Sequence, residues 1–193
     1  VITKELLQKA GVKDNRIDAF LLYLQKNAEK YEINTKQRIA AFLAQILHES
    51  GRLAYVREIW GPTPQQKKYE RDFTQPYKAG LTRNDRNYLP FMLGNEKEGD
   101  GRLFAGRGLI QVTGRTNYAK CSQFLFGGDR LLTEPQLLES PEYAVASAFW
   151  FCIDRAHLLD EFDSAGIADE TKKVNGGTNG IADRQAIYDA LIA

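Results

Sequence analysis

Sulfur and imidazole are scarce in this chain. Its 193 residues hold two cysteines, one methionine and two histidines. Cys121 and Cys152 form no C-x-x-C spacing, the usage of buried reduced thiols rather than of a disulfide framework. His48-Glu49 is followed by Ser50-Gly51-Arg52, so the second histidine of a zinc-binding helix is missing and His157 stands alone. No metal or other cofactor is expected. Long apolar runs are lacking as well. The longest nearly unbroken one, Ala144 to Ile153, falls far short of the roughly 20 residues that cross a bilayer, so no membrane anchoring is expected. The first twenty residues show no basic start, apolar stretch and small-residue cleavage site. The expectation is a chain held in the cytoplasm until something releases it.

Charge of one sign is not in excess either. Lys and Arg number 26 against 25 Asp and Glu, a net +1 that does not mark a nucleic-acid binder. With 43% hydrophobic and 26% charged residues the chain can bury a core, which excludes intrinsic disorder and low-complexity classes. The length suits one compact domain, cleft between two lobes. The charges are unevenly spread: residues 1–110 carry 19 basic and 13 acidic side chains, and residues 111–193 carry 7 and 12. If the early part lines a binding surface, that surface favours an anionic polymer. The alternative is that folding mixes the two halves into a patchwork.

Helix signals dominate both ends. Thr3 caps a first helix that stops at Gly11, and Asp14 or Asn15 opens a second with apolar positions Ile17, Phe20, Leu21 and Leu24. Thr35 reads as the N-cap of a third helix. Its apolar stripe is Ile39, Phe42, Leu43, Ile46 and Leu47, and it ends near Ser50-Gly51. Ser140-Pro141 starts another, and the stretch from Tyr143 to Ile153 is apolar almost all round, the mark of a buried central helix. A short helix from about Asp169 ends at Asn175-Gly176-Gly177, and the last runs from near Gly180 through Tyr188. Between Gly61 and Gly108, prolines, glycines and scattered charges predict a mostly irregular lobe with short helices and a hairpin. Leu109 to Thr113 reads as a short strand or a helix start.

The third helix offers a carboxyl in an informative place. With Ile39 at 0° and about 100° per residue, Phe42 falls at about 300°, Glu49 at about 280° and His48 at about 180°. Glu49 borders the apolar stripe, where partial desolvation favours the neutral form that a general acid needs. The alternative is a helix-end glutamate paired with Arg52. Glu58 follows nine residues later; Gly51 interrupts the helix, so the chain can turn back and set Glu58 across a cleft from Glu49. Two facing carboxylates suit glycoside hydrolysis, one as acid and one as base. The run from Phe104 to Tyr118 combines three glycines with Gln111, Thr113 and Asn117, uncharged hydrogen-bonders suited to sugar hydroxyl and acetamido groups. Those side chains serve equally well to cap a backbone turn. The same two readings apply to Asn175 in Asn175-Gly-Gly-Thr-Asn-Gly180.

Together, His48-Glu49-Ser50, the run F-x-G-R-G-x-I-Q-x-T-G-R-x-N-Y at 104–118, and the 175–180 segment followed by Asp183-Arg184 resemble the family 19 chitinases. The chain looks most like their compact bacterial and phage relatives used as endolysins, in the wider lysozyme-like superfamily. The resemblance spans roughly residues 35 to 190. It implies an inverting mechanism in which Glu49 is the general acid, Glu58 the general base and Thr113 a holder of the attacking water. It also implies substrate-binding positions at His48, Gln111, Asn117, Tyr118, Asn175 and Arg184, the last matching an arginine that supports the acidic cluster.

The expectation is a mainly α, lysozyme-like bilobed domain with a substrate cleft. Its helical body covers about 1–60 and 131–193 and its middle lobe about 61–130, with no separate wall-binding module. The implied substrate is the glycan strand of peptidoglycan, cut by a monomer that waits in the host bacterial cytoplasm for a membrane pore. The rivals are a chitinase, a lytic transglycosylase needing only one acid, and a wall-binding protein without catalysis.

Overall fold

A computed structural model describes residues 1–164 and 166–193. Among the described residues twelve α-helices follow one another: α1 (Lys4–Lys9), α2 (Asp14–Lys30), α3 (Lys36–Glu49), α4 (Pro64–Lys67), α5 (Tyr88–Leu93), α6 (Asp100–Leu103), α7 (Arg115–Phe126), α8 (Arg130–Thr133), α9 (Pro141–Trp150), α10 (Glu161–Ser164), α11 (Ile167–Asn175) and α12 (Ile181–Ile192). A 3₁₀ turn over Pro135–Glu139 leads into α9, and a π-helical turn over Phe151–Arg155 ends it. No helix is long and apolar enough to cross a membrane among the described residues.

Local chemistry starts several of these helices. The Thr3, Thr35 and Ser140 hydroxyls accept from backbone N–H groups of the first turns of α1, α3 and α9, satisfying donors that have no partner inside the helix. The start of α2 departs from expectation. Its N-cap is Lys13, with no side-chain cap, and the Asp14 carboxylate instead accepts from Gln8 Nε2 at 2.8 Å.

The core is built around α3. Every residue from Ile39 to Leu47 is buried, so this helix is covered all round rather than along one stripe. The covering elements are α12, α10 and α11, far off in sequence, and Ala40, Ala41 and Ala44 leave room for them. Helix α9 packs on α2, and Phe149 lies against Phe42 with ring centroids 4.3 Å apart. Cys121 and Cys152 are buried and unpaired, and burial pushes both thiols up.

Between α3 and α7 the chain is mostly irregular, broken by α4, α5 and α6. The expected hairpin is absent among the described residues; two isolated antiparallel bridges, Arg57 with Arg107 and Arg107 with Val112, take its place. Residues 109–113 are neither strand nor helix. They form a turn closed by the Arg107–Val112 bridge, in which Gln111 adopts a left-handed φ of 57°. The last helix continues past Tyr188 to Ile192, carried by the buried Leu191.

Candidate active site

Helix α3 stops directly after Glu49. Gly51, Arg52 and Leu53 all take left-handed φ values of 58°, 58° and 64°, and three such residues in a row reverse the chain. Ser50 locks the reversal: its hydroxyl donates to the Ile46 carbonyl at 2.6 Å and accepts from Leu53 N–H at 2.9 Å. The turn separates Glu49 from Glu58, so the two never share a helix.

Glu49 and its neighbour are gripped by α12. Arg184, 1% exposed, forms an ion pair with Glu49 through Nη2 and Oε1, and its Nη1 donates to Gln45 Oε1 at 2.6 Å. Gln45 in turn donates to Glu170 Oε2 at 3.3 Å. Glu170 is buried, and that burial pushes its carboxyl up to about 7 despite the Gln45 donor. One residue back, His48 Nδ1 lies 2.7 Å from Asp183 Oδ2, and the Arg52 guanidinium holds both Asp183 oxygens at 2.8 and 2.6 Å. These partners, Arg52 first, hold Asp183 down to about 2. Arg52 is therefore committed to Asp183, and Glu49 takes its charge partner from Arg184.

Glu58 belongs to a different scaffold. Its N–H donates to the Gly106 carbonyl at 2.9 Å, and Gly106 N–H donates back to Glu58 Oε1 at 2.6 Å. The other oxygen, Oε2, accepts from Gln66 Nε2 at 3.0 Å. Gln66 is buried with all its polar atoms engaged: Nε2 also donates to the Ile59 carbonyl, and Oε1 accepts from Gly61 and Thr63 N–H. Thr63 and Gln66 form a capping box at the start of α4, so one side chain both starts a helix and clamps a carboxylate. Tyr69 lies beside the pair; burial first, and the Glu58 charge second, raise its phenol above the usual range.

The 104–118 run wraps this carboxylate. A Cβ on Gly106 would stand 2.8 Å from Gln111 Oε1 and 3.2 Å from Thr113 Oγ1, so both side chains crowd the residue that binds Glu58. Thr113 Oγ1 donates to the Gln111 carbonyl at 3.0 Å, and Asn117 Nδ2 donates to the Thr113 carbonyl at 2.8 Å. Glu58, Gly106, Gln111, Thr113 and Asn117 thus form one connected cluster.

The other candidates engage protein groups. Tyr118 is completely buried; its hydroxyl donates to the Ala105 carbonyl and accepts from Arg107 Nη1, so it braces the run and does not face a ligand. Arg184, buried and paired with Glu49, stands where the resemblance puts an arginine that supports the acidic cluster. His48 has its ring between Asp183 and Gly180, and its side chain keeps partial exposure. Asn175 is exposed, but its amide donates to the Asn179 carbonyl and its oxygen accepts from Gly177 N–H, the helix-end turn of the structural alternative.

A pocket of about 340 Å³ opens beside Glu58, lined among others by Arg57, Trp60, Arg102, Gly106 and Arg107. Sequence reasoning singled out neither Gln66, Tyr69, Gln45 and Glu170 nor the two pocket arginines Arg57 and Arg102. Only Gln66 had a legible signal, the Thr63-x-x-Gln66 spacing of a capping box.

Known proteins resemble this chain in sequence and fold. No protein-family model matches the chain. A glycosyl hydrolase family 19 domain-containing protein of Haemophilus influenzae is 34% identical over 180 residues, 85% of this chain and 83% of the relative. An endochitinase of Arabidopsis thaliana is 33% identical over 144 residues, 74% of this chain but 40% of the plant protein. Among solved structures, chitinase C from Streptomyces griseus HUT6037 aligns with a TM-score of 0.65 at 19% identity, over 98% of this chain and 92% of its own. The chain is a glycoside hydrolase with a helical, lysozyme-like fold. It belongs to glycosyl hydrolase family 19.

Proposed function

We propose that the chain is an endolysin-type enzyme that hydrolyses the β-1,4 bonds of peptidoglycan glycan strands with inversion. The observation that carries the mechanism is the contrast between the two glutamates. Both Glu58 oxygens accept hydrogen bonds, one from Gly106 N–H and one from Gln66 Nε2. Glu49 is held through Oε1 alone, which leaves Oε2 without a protein partner among the described residues. Glu49 then protonates the leaving oxygen while Glu58, with Thr113, holds and activates water on the opposite face of the sugar. Inversion needs roughly 6.5–9.5 Å between the two carboxyls, to admit that water. In this reading Gln111 and Asn117, whose amides now donate to the Gly108 and Thr113 carbonyls, turn their remaining polar groups to the sugar.

The basic excess of residues 1–110 favours an anionic glycan over a neutral one. In this reading a monomer accumulates in the host cytoplasm and reaches the wall through a membrane pore. The similarity to a plant endochitinase and to the Streptomyces chitinase favours the second reading, hydrolysis of chitin. Digestion of purified peptidoglycan and of chitin, with mass spectrometry of soluble products, separates the two. Hydrated reducing-end fragments from peptidoglycan support the proposal. Anhydro-muramic products indicate a lytic transglycosylase, cleavage of chitin alone indicates a chitinase, and no cleavage of either leaves only binding.

A further inference from the structure

The pocket beside Glu58 carries more positive charge than the protein neutralises. Arg57 and Arg107 oppose each other across an isolated antiparallel bridge, an arrangement that like charges destabilise. Arg107 is compensated: Nε donates to Glu139 Oε1 at 3.0 Å, and Nη1 donates to the Leu103 carbonyl and the Tyr118 hydroxyl. Arg57 is exposed and has no carboxylate partner among the described residues. Arg102 on α6 is also exposed and lines the same pocket; its backbone N–H donates to Glu70 Oε1 at 3.1 Å, and its guanidinium has no ion-pair partner among the described residues. Glu58 forms no ion pair with either arginine among the described residues; its oxygens accept from Gly106 N–H and Gln66 Nε2. Next to these guanidinium groups stand Ile59, 80% exposed, and the half-buried Trp60, an apolar wall of the kind a sugar ring packs on.

We propose that Arg57 and Arg102 form an anion subsite that takes a carboxylate carried by the glycan, next to the bond that Glu58 addresses. A guanidinium fork matches a carboxylate with two parallel hydrogen bonds, and a neutral polymer offers it nothing equivalent. The proposal rests on the glycosidase reading above and adds its specificity determinant. Two sources supply such a group in peptidoglycan: the stem peptides, and the lactyl ether of muramic acid once the stems are removed.

The test compares wild type, Arg57→Gln, Arg102→Gln and the double variant on three forms of peptidoglycan: intact, stripped of stems by an amidase, and amidated at its carboxyls. Glycol chitin and carboxymethyl chitin provide a neutral and an anionic polymer that do not depend on the peptidoglycan reading. The double variant is expected to lower the preference for carboxylate-bearing over neutralised glycan, measured as a ratio of kcat/KM, by about tenfold or more, mostly through KM. Arg→Lys variants should keep part of it. Loss on intact glycan alone assigns the stem carboxylates, and loss on stripped glycan assigns the lactyl group. An unchanged ratio on both the peptidoglycan and the chitin pair overturns the subsite. Wild type that cuts chitin but no peptidoglycan overturns the peptidoglycan reading, and the carboxymethyl chitin ratio then decides the subsite by itself.

Discussion

Glu49 at the end of α3 is paired with Arg184 of α12, one residue beyond the contact between His48 and Asp183 on the same two helices. Two consecutive residues of one helix are thus matched to two consecutive residues of another, distant in sequence. The orientation of the proposed acid is set by the packing of α12 on α3.

Replacing Arg184 tests that dependence. Arg184→Gln leaves Glu49 without its charge partner and Gln45 without its strongest donor, in a site where Arg184 is 1% exposed. A loss of about 3 kcal/mol in stability is expected from breaking a buried pair. A fall of roughly 100-fold in kcat is expected from a misplaced acid. Urea denaturation and steady-state kinetics check the two, and a variant with normal stability and kcat contradicts the assigned role.

Stability should depend on pH through two groups of opposite sign. Glu170 has its folded carboxyl raised from the ordinary value of 4.5 to about 7 by burial. Below 4.5 the folded and unfolded states both hold this proton. As pH rises toward 7 the unfolded chain releases it while the folded chain keeps it, so stability falls across that interval, by about 3 kcal/mol, and then levels. Glu170→Gln should therefore exceed wild type in stability at pH 8 and not at pH 4, measured by urea midpoints. Asp183, held at about 2 by Arg52 and His48, acts at the acid end. Its contribution is complete above 3.8 and is lost as pH falls toward 2, a limb that Asp183→Asn should flatten.

Gln66 is expected to matter beyond its helix cap. Gln66→Glu replaces the donor on Glu58 Oε2 with a second carboxyl while preserving length, so it sets like charges together. Activity should fall roughly tenfold to a hundredfold, with a shifted pH profile. An unchanged profile would show that the contact is only structural.

At Gly106 the constraint is steric. Gly106→Ala places a methyl 2.8 Å from Gln111 Oε1 and 3.2 Å from Thr113 Oγ1. Both side chains must give way around Glu58. The expected result is a folded protein, normal by circular dichroism, with activity lowered by roughly 100-fold. Wild-type activity would remove Gly106 and Thr113 from the site.

The sequence was readable where local chemistry decides. Thr3, Thr35 and Ser140-Pro141 place three helix starts because a cap and its N–H partner lie three residues apart. The end of α3 was legible from Gly51, although the left-handed conformations of Arg52 and Leu53 were not, since neither side chain favours them. Tertiary partners were illegible. The burial of α3 on every side comes from helices more than a hundred residues away, and the run 109–113 is too short for its period to separate strand from helix. In the site, a histidine, a tyrosine or an arginine near a glycan-binding motif reads the same whether it meets sugar or protein. In the structure His48, Tyr118 and Arg184 are bonded to Asp183, Ala105 and Glu49, partners that no local pattern announces.

The central claim is that Glu49 and Glu58 act as acid and base in an inverting hydrolysis. Proton NMR of the first product formed from a soluble β-1,4 oligosaccharide, with wild type and Glu58→Gln side by side, tests it most directly. The account predicts an initial α-anomer from wild type and a loss of about a thousandfold or more in the variant. An initial β-anomer, or a Glu58→Gln enzyme that keeps most of its rate, would contradict it.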